Sequence, residues 1–199
     1  MKNRQKGFAL PLVLLLLVVM TLMGVILVSI TAGDIRANNE KDYSQQAFYA
    51  AESGISHGKK YLASQNNLSK GQQQYGKLKF CKPNLFPNLR DPTFKVMNND
   101  NGKPIIGLYN LNQFITGSDN NEKERLSNFS FEYFITYSPD HNGYTENPKK
   151  KPGTNKTYYT IYSCGCDGSK TKCKSQNNKI VALEAVVTLA NQWEKLYFL

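Results

Sequence analysis

Residues 8–30 contain no charged side chain, and no feature of the chain limits its fold more. At about 1.5 Å per residue a helix over this run spans roughly 35 Å, enough to cross a bilayer core of about 30 Å. Pro11 falls in the first turn, where a missing N–H removes no helical hydrogen bond. Ahead of the run stands Met1-Lys2-Asn3-Arg4-Gln5-Lys6, with three cations and no anion. The positive-inside rule then places the N-terminus in the cytoplasm and the chain beyond about residue 33 on the opposite side.

Three kinds of segment share these properties. A cleaved secretory signal has an apolar core of only about 7–15 residues, and a cut after Ala32 would put Ile30 where a small side chain is usual. A plain membrane anchor accounts for the length and the charge. The third is a short basic leader ending in Gly7, followed by Phe8 and an apolar helix that runs unbroken into an amphipathic one. Residues 34–62 supply that second half. Ala47, Ala50, Ala51, Gly54, Gly58, Tyr61 and Leu62 recur at three- and four-residue steps, the spacing of one helical face. The stripe is small, so a sheet or a second helix can approach closely. Arg36, Asn39, Glu40, Gln45, Glu52 and Lys59 take the opposite face. Gly24 and Gly33 are points where the helix could bend. Residues 8–62 together make a stem of roughly 80 Å at helical rise.

Two stretches carry a family resemblance. Gly7-Phe8 and the helix after it resemble the class III signal of type IV pilins and type II secretion pseudopilins. Gln46-Ala47-Phe48-Tyr49-Ala50-Ala51-Glu52-Ser53-Gly54-Ile55 resembles the "AFxAAExGl" segment of the PilX N-terminal family of type IV pilus assembly proteins. Together they cover about residues 1–62 of the chain. The resemblance implies that a prepilin peptidase cuts between Gly7 and Phe8 and methylates the new amine. It implies a subunit held in the inner membrane with its head in the periplasm, which then moves to a pilus tip. Its partners would be other minor pilins, the major pilin and a large tip adhesin. The fifth residue after the cut is usually a Glu that meets the amine of a neighbouring subunit; here it is Leu12. Leu cannot neutralise an ammonium buried in an apolar filament. In the resembled families the subunits without this Glu are minor ones at the tip. The expected function is a minor pilin of the complex that primes assembly and caps the filament. A tip pseudopilin of type II secretion is the alternative, although that class usually carries a larger head.

At 199 residues and 22.5 kDa the chain holds a leader (1–7), a stem (8–64) and one head domain (65–199). The expected fold is α+β, with the long helical stem packed on a C-terminal antiparallel sheet. Residues 129–137, 157–162 and 179–189 alternate as strands do, and shorter strands are expected at 77–81 and 105–109. Pro83, Pro87, Pro92 and Pro104 interrupt longer elements, and Asn98-Asn99-Asp100-Asn101-Gly102 reads as a tight turn. Its oxygens do not fall at the alternating positions of an EF-hand.

Four cysteines, Cys81, Cys164, Cys166 and Cys173, would face an oxidising compartment and read as two disulfides. Bridging Cys164 to Cys166 is sterically awkward, so the expected pairs are Cys166–Cys173 and Cys81–Cys164. The spacing is not a standard zinc set, and no metal or cofactor is expected. Loss of the leader leaves 22 of 25 cations against 15 acidic residues, a balance suited to anionic partners or to a solvated basic surface. Lys149, Lys150 and Lys151 in one loop and Lys170, Lys172 and Lys174 in another, with Tyr144, Tyr158 and Tyr159, suggest a basic patch for single-stranded nucleic acid. No hydrolase elbow, phosphate loop or zinc-protease motif occurs. His57 and His141 have no recognisable nucleophile beside them in sequence, and an enzyme is not expected.

Overall fold

The computed structural model describes residues 9–65, 68–69, 71, 77–89, 94–114, 117, 119–173 and 178–189. Gly7, Phe8, Pro92 and Lys174 lie outside them. Two compact units divide the chain, residues 1–42 and 43–199. The division falls inside the first helix, α1 (Ala9–Ser64), rather than at its end, because one face of the helix from Ala47 onward is buried against the sheet.

In the first unit α1 runs through Gly24 and Gly33 without interruption. Every large apolar side chain from Leu10 to Ile35 is exposed, and the helix is long and apolar enough to cross a membrane. Thr21 and Thr31 donate their hydroxyls to the carbonyls of Val18 and Leu27, at 2.8 and 2.9 Å. A hydroxyl in an apolar helix is satisfied locally in this way.

The second unit is an antiparallel meander packed on the last part of α1. Its strands are β1 (Ile106–Asn110), β2 (Ser130–Tyr137), β3 (Thr157–Cys166) and β4 (Ile180–Leu189), in spatial order β1-β2-β3-β4. A short helix, α2 (Asn120–Ser127), precedes β2. Alternation places Phe131, Tyr133 and Ile135 of β2 and Tyr159 and Ile161 of β3 on the helix side, where they pack with Ala50, Ile55 and Leu62. The 98–102 turn forms as expected, with Gly102 donating to the carbonyl of Asn99 at 2.9 Å and taking a positive φ of 69°.

The opposite face of the sheet is buried as well. Phe134, Tyr162, Cys164 and Cys166 pack there against Leu78, Phe80, Phe86, Leu89, Phe94 and Val96, so β2 is closed on both sides. The covering segment corrects one expectation, since residues 77–81 do not form a strand. Their N–H groups turn inward instead. Glu132, 1% exposed, accepts from the N–H groups of Lys79 (2.8 and 3.0 Å, one to each carboxylate oxygen), Phe80 (2.8 Å) and Cys81 (2.8 Å). A strand would have pointed alternate N–H groups away from that carboxylate.

Candidate functional site

The stripe of small residues on α1 meets β3 with almost no side chain between them. A Cβ on Gly165 would stand 1.8 Å from the carbonyl oxygen of Ala47 and 2.5 Å from the nitrogen of Ala51. On the helix side, a Cβ on Gly54 would lie 2.1 Å from Ser163 Oγ, and one on Gly58 2.8 Å from Ile161 Cγ2. Helix backbone therefore lies directly on strand backbone. The motif residues divide accordingly. Ala47, Ala50, Ala51 and Gly54 are buried in this seam, while Phe48, Tyr49 and Glu52 are exposed on the outer side of the helix. Phe48 and Tyr49 are 44% and 56% exposed, and Leu12 is exposed in the first unit.

Beyond the motif, His57 stands between helix and sheet. Its Nδ1 is 3.0 Å from the hydroxyl of Tyr133, and its ring packs beside Tyr109, Phe114 and Tyr133 with centroids 5.0–5.5 Å apart. Burial, and then the charge of Lys60, holds its pKa below the ordinary imidazole value. Burial drives the Tyr133 hydroxyl far above the phenol range, helped by Tyr109 and Tyr61. A neutral His57 accepting from the Tyr133 hydroxyl satisfies both directions.

The sign of the linkage follows. A base whose folded pKa is depressed contributes stability that is present above its unfolded value, near 6.5, and is lost as pH falls through the folded value. Thermal melts from about pH 7.5 down to about pH 5 should therefore show a fall in Tm that His57→Gln reduces. Identical slopes for the two proteins would remove His57 as the cause.

Cys81 is joined to Cys164, and Cys166 to Cys173, the pairs that the cysteine spacing favoured. The first bridge closes 83 residues of separation and ties the covering segment to β3; the second closes a separation of 7. Cross-linking the longer loop removes more freedom from the unfolded chain, by the entropic account.

The described lysines of the expected basic patch lie in two loops, one near each end of β3. Lys149 and Lys151 are hydrogen-bonded through their backbones to Tyr158 and Lys156, at the start of β3. Lys170 and Lys172 follow Cys166, at the end of that ten-residue strand. At about 3.3 Å per residue the two loops are roughly 30 Å apart. Tyr159, expected as a stacking platform, is buried and packs against Tyr137 at 5.7 Å. The described lysines of the two loops therefore stand at opposite ends of β3. His141 lies exposed in the turn after β2.

Sequence reasoning missed Glu132 and Gly165. Glu132 reads as the polar member of an alternating strand, yet it shares its face with Phe134, which hinted that this face too is covered. It missed α2 as well, although Asp119 and Glu122 have the spacing of a capping box; Glu122 instead pairs with Arg125 at 2.7 Å. Compared with models of known protein families, with curated proteins and with solved structures, the chain gives no match.

Proposed function

We propose that the chain is a PilX-like minor pilin of a type IV pilus, cut between Gly7 and Phe8 and assembled through α1 into the complex that primes the filament and caps its tip. The observation that carries this reading is the continuity of α1. One helix of 56 residues holds a membrane-length apolar half and then a half whose small face is buried on its own sheet. Such a helix can leave a bilayer for a bundle of similar helices without refolding, because the head is already fixed to it by the seam at Gly165. The outer residues Phe48, Tyr49 and Glu52 are then available to neighbouring subunits. Leu12 suits a subunit that nothing covers, since no ammonium from above needs a carboxylate there. In this reading the head is held in the periplasm from the inner membrane before assembly. Its partners are other minor pilins, the major pilin and a tip adhesin.

The test is the N-terminal mass of the full chain recovered from membranes with and without prepilin peptidase. The expected result is a chain beginning at methylated Phe8 only when the peptidase is present. A chain that keeps Met1 in both cases would make it an ordinary anchored protein, and one that starts at Gly33 a secreted one. Either result overturns the proposal.

A further inference from the structure

The face of the sheet turned away from α1 carries a cleft of about 660 Å³, within the range of small-molecule sites. Strand alternation builds its floor. Tyr158, Thr160 and Tyr162 of β3 point to this face, as do Glu184 and Val186 of β4. The loop carrying Asn88 forms one side, and the loop from Ser138 to Pro152 forms the other. Across the top, Asn88 donates its amide to Glu184, joining the covering segment to the edge strand.

The polar groups here are left partly unused. The hydroxyls of Ser138 and Thr160 bond to each other at 2.8 Å, which occupies one of their two protons. Tyr162 is fully buried, with the hydroxyls of Thr136 and Thr160 beside its own. The Asn88–Glu184 pair keeps one amide proton and a carboxylate oxygen open.

Charge narrows the ligand class. Lys149 and Lys150 line the cleft together with Asp140 and Glu184, so two cations and two anions line it among the described residues. The Lys149 ammonium is engaged by the carbonyl of Pro139 at 3.0 Å. Asp140 is held low by the N–H groups of Tyr144 and Asn142. A polyanion would meet two carboxylates, and a cation would meet two ammonium groups. A neutral ligand rich in hydroxyls, each both donor and acceptor, fits the mixture. The half-buried ring of Tyr158 adds an apolar surface for its carbon-bound hydrogens. We infer that this cleft is a binding site for a neutral saccharide of one or two rings, held by the Asn88–Glu184 pair at the wall and by Ser138 and the ring of Tyr158 at the floor.

The full chain in lipid nanodiscs free of glycolipid and of glycosidic detergent would be titrated with lactose, maltose and cellobiose. Saturation-transfer NMR would read the binding. At least one disaccharide is expected to bind with a Kd on the order of 1 mM. Asn88→Ala and Glu184→Ala, both at exposed positions, should weaken it at least tenfold while leaving Tm unchanged. No transfer to any of the three at about 10 mM would overturn the site. So would equal binding by wild type and the Asn88→Ala/Glu184→Ala double variant. Preference for sialyllactose over lactose, abolished by salt, would also overturn it, because it would assign the cleft to its lysines alone.

Discussion

Gly165→Ala is expected to destabilise the second unit by about 3 kcal/mol, the upper end for overpacking a core. At about 2–4 °C per kcal/mol for a domain of this size, Tm should fall by roughly 6–12 °C. The reason is what the new methyl would meet. Its neighbours are the carbonyl oxygen of Ala47 at 1.8 Å and the nitrogen of Ala51 at 2.5 Å, both backbone atoms of α1, so no rotamer change gives relief. The helix must lift from β3, and the seam at Ala50, Ala51, Gly54 and Gly58 opens with it. Gly54→Ala should cost less, because the closest atom it meets is Ser163 Oγ at 2.1 Å, the end of a side chain that can rotate. Gly33→Ala serves as the control. Nothing lies within 4 Å of its added Cβ, and Ala favours a helix over Gly by about 1 kcal/mol. Thermal melts followed by near-UV circular dichroism would rank the three. If Gly165→Ala melted within about 2 °C of wild type, the sheet would be yielding at that end of β3, and the seam would not be what fixes the helix.

The same seam shows how much of this molecule is legible in its sequence. Ala47, Ala50, Ala51, Gly54 and Gly58 announce a narrow helical face by their spacing, and a narrow face predicts close approach. What they cannot announce is the opposing Gly165, since that depends on which strand lies beneath and in which register. Register is set by the pairing of β3 with β2 and β4, Gly165 opposite Phe131 and Val181, and not by anything local to Gly165. The strands themselves are legible because their alternation is local. The covering segment is not. Residues 77–97 have little periodicity, and residues 77–89 and 94–97 stay in place through the Cys81–Cys164 bridge, the Glu132 carboxylate and apolar contacts from Phe80, Phe86 and Phe94. Those contacts are all distant in sequence. The cleft bearing Asn88 and Glu184, 96 residues apart, was invisible for the same reason.

Glu132→Ala should be at least as damaging as Gly165→Ala. The carboxylate accepts four hydrogen bonds from three backbone N–H groups, and truncation leaves those donors in or beside a core with no acceptor. Each orphaned donor costs about 1–3 kcal/mol, and bonds to a charged group lie at the strong end. A net loss of roughly 3–5 kcal/mol follows, or a fall in Tm on the order of 10 °C. Glu132→Gln tests whether shape alone suffices. Its amide keeps one oxygen but points two N–H donors at N–H donors, so it should recover little of the loss. The effect should also reach the covalent framework, because Glu132 lies opposite Cys164 across the β2–β3 pair. By binding the N–H of Cys81 it holds that residue where its sulfur meets Cys164. After reduction and reoxidation, peptide mapping should show less Cys81–Cys164 bridge in both variants, with Cys166–Cys173 little changed. A Glu132→Gln protein with wild-type Tm and full recovery of that bridge would show that the covering segment is placed by the disulfide and its aromatic residues, with the carboxylate only following.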